Sequence, residues 1–231
     1  KKFPVVVAAD HSSAGGTIAG ITAAYPNKKL GVIWIDAHGD LHSPYTTPSG
    51  NVHGMPLSTA LAEDNLECGH NDVDQASQNL WNKLKKAGGT SPKLLPENLV
   101  FMGVRDTEKQ EDAIIARNNI KNYTVAEIRE KGVQETIQET LNRLDSCDII
   151  YISFDVDSMD PSLTSHGTGT PVPNGFSPEE AQNLILGLLK SPKTICFELV
   201  EVNPCLDEKT NKMAETAFDI LNSVVDQIST D

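Results

Sequence analysis

The sequence has no apolar run that approaches the length of a membrane span, so it offers no transmembrane helix. It has no excess of basic residues. Lys and Arg number 19 against 32 Asp and Glu, for a formal net charge of -13. A surface this acidic argues against nucleic acid and anionic membrane as partners. The cysteines Cys68, Cys147, Cys196 and Cys205 are widely spaced, with no Cys-x-x-Cys pair among them. That pattern predicts a reduced, cytoplasmic protein, with Cys147 and Cys196 as thiols in or beside apolar runs. There is no Gly-x-Ser-x-Gly elbow and no cysteine in the context of a nucleophile. Gly15-Gly16-Thr17 lacks the lysine of a phosphate-binding loop. Internal repeats, low-complexity tracts and interdomain linkers are also missing. What remains is 231 residues, 39% of them hydrophobic, enough for one core. One domain is expected over residues 1–231. The chain begins at Lys1 rather than Met, so the lack of a signal peptide says little about localisation.

Apolar runs of strand length alternate with helical patterns. Strands are predicted over residues 4–9, 30–35, 99–104, 149–154 and 194–199. Helices are predicted from Ser12 or Ser13 to about Tyr25, then over 57–62, 75–87, 109–118, 133–144 and 212–228. Ser177-Pro178-Glu179-Glu180 starts a further helix, with a capping Ser and a Pro at the first position. Residues 63–74 read as a loop. Strands alternating with helices imply a mostly parallel sheet covered on both faces, an α/β fold of three layers. In such sheets ligands bind beyond the carboxyl ends of the strands. Polar residues gather there: Asp10-His11, Asp36, Arg105-Asp106, Asp155, Glu198 and Glu201.

Two of those ends carry the chemistry. Asp36-Ala37-His38-Gly39-Asp40 follows one strand, and Asp155-Val156-Asp157 follows another. In extended backbone, alternate residues share a face. So Asp36, His38 and Asp40 can point one way, and Asp155 and Asp157 likewise. Four carboxylates at buried strand ends are costly unless a cation neutralises them, and their charge equals that of two divalent ions. Carboxylate and imidazole without thiolate suit manganese, and less well zinc, cobalt or iron. Two such ions about 3.5–4 Å apart can share a water and lower its pKa toward neutrality, giving a hydroxide nucleophile. One aspartate after a strand often only caps a turn, but that reading does not explain five groups at alternating spacing. His70 and His166 lie in polar, turn-like context and are expected in solvent. Glu198 and Glu201 are each open to a plainer reading, as partners of a buried Arg or Lys.

These residues resemble the ureohydrolase family, and within it the arginases. Ala8-Ala9-Asp10-His11-Ser12 is similar to the family's Gly-Gly-Asp-His-Ser, and Asp36 to Asp40 to Asp-Ala-His-x-Asp. Residues 153–161 are similar to Ser-x-Asp-x-Asp-x-x-Asp-Pro. Residues 49–56, Ser-Gly-Asn-Val-His-Gly-Met-Pro, look like the substrate loop of arginases, and Glu201-Val202-Asn203-Pro204 like the guanidinium-binding segment. The resemblance runs from Val5 to Val225. It implies two manganese ions per chain, the first on His11, Asp36, Asp40 and Asp155, the second on Asp36, His38, Asp155 and Asp157. It also implies Glu201 against the guanidinium, with Thr170 lining the same pocket and His53 as proton shuttle. Ser49 and Asn51 would meet the substrate carboxylate, and Glu108 its α-ammonium. Asp40 counts with His53 and Glu201 in the catalytic group. The implied activity is hydrolysis of L-arginine to L-ornithine and urea, in a homo-oligomer, trimer or hexamer.

Three departures from the family pattern stand out. Ala8-Ala9 replaces Gly-Gly. His42 stands where arginases usually place an Asn against the substrate carboxylate. It either lines the pocket or is turned to solvent at Ser43-Pro44, and the sequence leaves both open. The family's first strand and helix are not found in the chain, which is expected to leave a sheet edge exposed. The alternatives are another ureohydrolase acting on agmatine, formiminoglutamate or a different guanidino acid, a metal-binding but inactive member, or a metal-dependent deacylase of the same fold.

Overall fold

The computed structural model describes residues 2–230. Among them six strands form one parallel sheet: β1 (Val5–Val7), β2 (Leu30–Ile35), β3 (Leu99–Met102), β4 (Lys121–Tyr123), β5 (Ile149–Asp155) and β6 (Thr194–Val200). Their order across the sheet is β1-β6-β5-β2-β3-β4. β2 and β5 are therefore neighbours at the centre, paired from Leu30↔Ile149 to Ile35↔Phe154. Every residue of both strands is buried, which is why they read as unbroken apolar runs rather than as alternation.

Eight α-helices accompany the strands: α1 (Ser13–Ala24), α2 (Pro56–Leu61), α3 (Gln75–Lys86), α4 (Lys109–Asn118), α5 (Val125–Lys131), α6 (Val133–Arg143), α7 (Pro178–Leu189) and α8 (Lys212–Thr230). One face of the sheet packs Ile33, Ile35, Ile150, Ile152, Phe154 and Phe197 against α5 to α8. The other packs Val32, Trp34, Phe101, Tyr151 and Cys196 against α1, α2 and α4. This is the three-layer α/β/α arrangement that the alternation of elements implies.

Two elements escaped the sequence reading, β4 and α5. Lys121-Asn122-Tyr123 is only three residues long and carries no apolar run, and its pairing with β3 alone makes it a strand. The signal for α5 was present: the Thr124 side chain accepts the Glu127 N–H at 3.1 Å, an ordinary helix cap. The capping predicted at Ser177 is present as a reciprocal box with Glu180. Ser12 precedes α1 but does not cap it with its side chain, because its hydroxyl bonds Asp10 instead. All four cysteines are free, with Cys147 and Cys196 buried. No helix among the described residues is long and apolar enough to cross a membrane.

Candidate active site

The site grows out of two rows of side chains on the α1 side of the sheet. On β2 the row runs Leu30, Val32, Trp34 and ends in Asp36. On β5 it runs Ile149, Tyr151, Ser153 and ends in Asp155. Apolar packing below thus delivers a carboxylate above, on each of two adjacent strands. Each carboxylate then folds its own loop back. Asp36 Oδ1 accepts the His38 N–H at 2.7 Å, and Asp155 Oδ1 accepts the Asp157 N–H at 2.8 Å. These i to i+2 bonds turn the second side chain toward the first. The extended alternation expected beyond the strands is therefore not what gathers these groups. Asp157 sits in a 3-10 turn, and Asp40 has a left-handed backbone with φ of 50°.

His11 comes from the loop after β1. Its ring stacks on Trp34, with centroids 3.9 Å apart and planes 7° from parallel. Nε2 lies 2.7 Å from Ser153 Oγ. Nδ1 then faces Asp36 Oδ2 at 2.9 Å, Asp40 Oδ2 at 3.1 Å and Asp155 Oδ2 at 3.2 Å. Beside this group, His38 Nδ1 is 3.0 Å from Asp157 Oδ2 and 3.6 Å from Asp36 Oδ1. Two clusters result, His11–Asp36–Asp40 and Asp36–His38–Asp157, with Asp36 common to both. Asp155 joins the His11 group through Oδ2.

The chemistry of this donor set fits a cation. His11 Nδ1 and Asp36 Oδ2 are buried without a hydrogen-bond partner, a state that native interiors avoid. Burial pushes Asp40 up to about 7, helped by repulsion from Asp36. Burial also raises Asp155 well above the ordinary carboxylate range, with Asp157 and Asp36 adding repulsion. Burial opposes a charged His38, yet contacts with Asp157 and Asp36 overcome it and drive the imidazole to about 12. Burial also opposes a charged Asp36, but contacts with His11 and His38 hold that carboxyl below the ordinary range. Carboxyls at Asp40 and Asp155 forced toward neutrality, and imidazoles forced toward charge, express one demand, for positive charge among these oxygens. Oxygen and imidazole donors suit manganese and related divalent ions.

Above this floor lies a cleft of about 130 Å³. His11, His38, Asp40, Asp155 and Asp157 line its base, with Asp36 buried behind them. Ser49, Asn51, His53, Glu108, Thr170 and Glu201 line its wall, so every site residue singled out in the sequence meets here. Glu201 follows β6 with φ of 68°, left-handed and rare for a residue with a side chain. That turn brings Oε1 to the His11 N–H at 2.9 Å and to His53 Nδ1 at 3.4 Å. Thr170 Oγ1 donates to Asp157 Oδ2 at 3.1 Å.

His42 is buried on the cleft wall, which removes the solvent-facing reading. Its Nδ1 lies 3.2 Å from Thr46 Oγ1, and its Nε2 lies 2.5 Å from Glu108 Oε2. Partial burial opposes ionisation of Glu108, but His42 outweighs it and holds that carboxyl below its usual range. Glu111, not singled out from the sequence, also lines the cleft. It is buried, and accepts the Leu41 N–H at 3.0 Å and the Glu108 N–H at 3.1 Å. The signal for it was the reciprocal cap between Glu108 and Glu111 at the start of α4. Glu198 does not pair with Arg or Lys as its plainer reading supposed. Its partners are the Tyr151 and Ser13 hydroxyls. His70 and His166 are exposed.

Fold and site together define an α/β protein with a buried carboxylate–imidazole cluster, able to hold a cation, at the carboxyl end of a parallel sheet. A sequence model of the Arginase family matches residues 1–225. Arginase from Bacillus subtilis (strain 168) is 41% identical over 225 residues, which are 97% of this chain and 69% of that protein. The chain belongs to the arginase family. The crystal structure of Helicobacter pylori arginase superposes with a TM-score of 0.84 at 30% identity, covering 98% of this chain and 72% of that one. Entamoeba histolytica arginase, solved in complex with L-ornithine, superposes with a TM-score of 0.77 at 31% identity, covering 94% and 68%.

Proposed function

We propose that the chain is a binuclear manganese hydrolase that cleaves the guanidino group of L-arginine to L-ornithine and urea. The observation that carries this reading is the His11 Nδ1 atom, buried without a partner and facing three carboxylates, with Glu201 and His53 on the same cleft. His11, Asp36, Asp40 and Asp155 would hold one ion, and Asp36, His38, Asp155 and Asp157 the other. When bound, the ions would supply a water acidic enough to serve as nucleophile near neutral pH, and positive charge beside the reacting carbon. The chain supplies the rest. Glu201 pairs with the guanidinium, a planar and permanent cation that a fixed carboxylate both orients and selects. Its left-handed backbone and the His11 N–H keep that carboxylate aimed at the floor. Thr170 closes the side next to Asp157. His53 is part-exposed and within 3.4 Å of Glu201, and it passes a proton to the leaving amine, a task suited to an imidazole. Ser49 and Asn51 meet the carboxylate end of the substrate, and Glu108 its ammonium end. We further propose one catalytic domain over residues 1–231, working in the cytoplasm as a homo-oligomer, trimer or hexamer by family resemblance.

One observation favours a second reading, a guanidino acid other than arginine. The Glu108 carboxylate assigned to the α-ammonium is already engaged by His42. A substrate that keeps the carboxylate and lacks the α-amino group would not need it. Urea release should be measured with added manganese on arginine, agmatine and 4-guanidinobutyrate, and formamide release on formiminoglutamate. Arginine is expected to give the highest kcat/KM. Higher efficiency with 4-guanidinobutyrate would establish the second reading, and no urea from any guanidino substrate would overturn both.

A further inference from the structure

The loop that lines the catalytic cleft has a second side. Ser49, Asn51 and His53 line the cleft, whereas Gly50 and Val52, between them, line a separate groove behind it. Thr47 and Pro48 line both. The partition between the two cavities is therefore a single stretch of chain. The groove has a volume of about 640 Å³, in the size range of small-molecule sites. Its far wall is the segment from His70 to Asp74 together with α3. The N–H groups of His70 and Asn71 donate to the Tyr45 carbonyl at 2.9 and 3.1 Å. Asn71 Nδ2 donates to the carbonyls of Pro44 at 3.1 Å and Thr47 at 2.7 Å. These bonds tie the far wall to the base of the loop.

The lining has an apolar body and an acidic rim. Val52, Met55, Val73, Leu80, Trp81 and Leu84 supply the body. Val52, Leu80 and Leu84 are exposed, and three exposed apolar side chains gathered on one groove mark a binding surface rather than scatter. The Trp81 indole N–H is spent on Asp64 Oδ1 at 2.6 Å, so the ring has no donor left for a ligand. The titratable lining residues are Asp72, Asp74 and His70, and no Lys or Arg among the described residues lines the groove. Asp74 is engaged at the start of α3, where it accepts the Ser77 N–H and hydroxyl, each at 2.9 Å. Asp72 is exposed, with no basic side chain of the groove to pair with. Acid above apolar carbon is complementary to a cation that carries an apolar chain. It disfavours anions, and it disfavours a second copy of this chain, whose net charge is -13.

We propose that this groove is an effector site for an amphipathic organic amine. The ammonium meets Asp72, the apolar chain packs on Val52, Leu80 and Leu84, and occupancy acts on the catalytic cleft through Thr47 and Pro48. A ligand on the back of the partition changes how Ser49 and Asn51, on its front, meet the substrate tail. The coupling rests on the proposed function, whereas the binding does not.

The test is a calorimetric titration of the manganese-loaded full chain with hexylamine, which is expected to fill one site per chain. Asp72→Asn should weaken binding about 10- to 100-fold, for one lost charge-assisted contact. Leu80→Gln should weaken it about tenfold, for one lost apolar side chain. Without amine, both variants should keep the manganese content and the arginine kinetics of the wild type, because neither residue lines the cleft. Saturating hexylamine should change the wild-type KM for arginine about fivefold or more. Hexanoate, of the same length and opposite charge, should not bind. No binding of hexylamine, or equal binding of hexanoate, overturns the proposal. Binding that both variants leave intact also overturns it, since the amine then sits elsewhere. A wild-type oligomer that Leu80→Gln dissociates in sedimentation would mean that a second copy covers the groove, and overturns it as well. Binding with an unchanged KM overturns the effector role. A wild type that binds hexylamine at this site and releases no urea supports the site and overturns the proposed function.

Discussion

The floor of the cleft and its rim are built on different principles. At the floor, His11, Asp36, Asp40, Asp155 and Asp157 are buried, and their positions follow from strand ends and from bonds inside their own loops. At the rim, Ser49, Asn51, Glu108 and Thr170 are exposed. The floor sets several buried carboxylates side by side, an arrangement that a cation would offset. The rim carries no such burden, so it can change its preference for one substrate tail over another without disturbing the floor. His42 crosses the divide. It is as buried as the floor, and its closest partner, Glu108, belongs to the rim.

The contrast breaks most severely at Asp36, the one carboxylate common to both clusters. Asp36→Ala should abolish uptake of both metals together, as should Asp155→Ala, since either change leaves the remaining buried acids uncompensated. Elemental analysis reads the result, and two metals per chain with full activity would refute the shared floor. A smaller loss is expected one level up. His53→Ala should lower kcat by roughly 10²- to 10⁴-fold with metal content unchanged and partial rescue by added imidazole. Loss of metal in this variant would move His53 into the floor.

Glu201 tests whether the boundary lies where it is drawn. Glu201→Gln removes a charge-assisted contact worth about 1.5–3 kcal/mol, or roughly 10- to 150-fold in kcat/KM for arginine. Melting temperature should hardly move, and unchanged kinetics would exclude contact with the reacting group. Stripping the metals should lower stability by about 2.7 kcal/mol for each ion held at a hundred times its Kd. Calorimetry with and without chelator reads that difference, and coincident melts would mean that the floor tolerates its charge unaided. The smallest effect is expected at His42. His42→Asn frees Glu108 and should shift the preference between arginine and 4-guanidinobutyrate by about 1 kcal/mol, the scale of a single hydrogen bond. Identical preferences would place His42 outside substrate choice.

The same division explains what could be read from the sequence. The floor, His11 apart, was legible because its residues lie in two short runs behind apolar strands, and the central strands announce themselves by continuous burial; His11 came through the family resemblance. The rim residues were found through family resemblance rather than periodicity, since Ser49, Glu108 and Thr170 share no local pattern and meet only after folding. What was missed depends on tertiary contact. β4 is a strand only because β3 lies beside it. The contact between His42 and Glu108 spans 66 positions, and the stacking of His11 on Trp34 spans 23. Glu198 was misread because a buried acid suggests a basic partner, whereas two hydroxyls and a helix end serve it here.

The backbone at Asp40 and Glu201 has an implication for selection. Both residues occupy left-handed conformations that cost a side chain on the order of 1–3 kcal/mol and cost glycine little. A library of this protein sorted for folding alone should drift toward glycine or asparagine at positions 40 and 201, and the survivors would be stable and inert. Continued presence of an acid at either place is then a record of purifying pressure on chemistry rather than on shape. Recombination with relatives, or consensus engineering for heat resistance, should leave these two codons untouched.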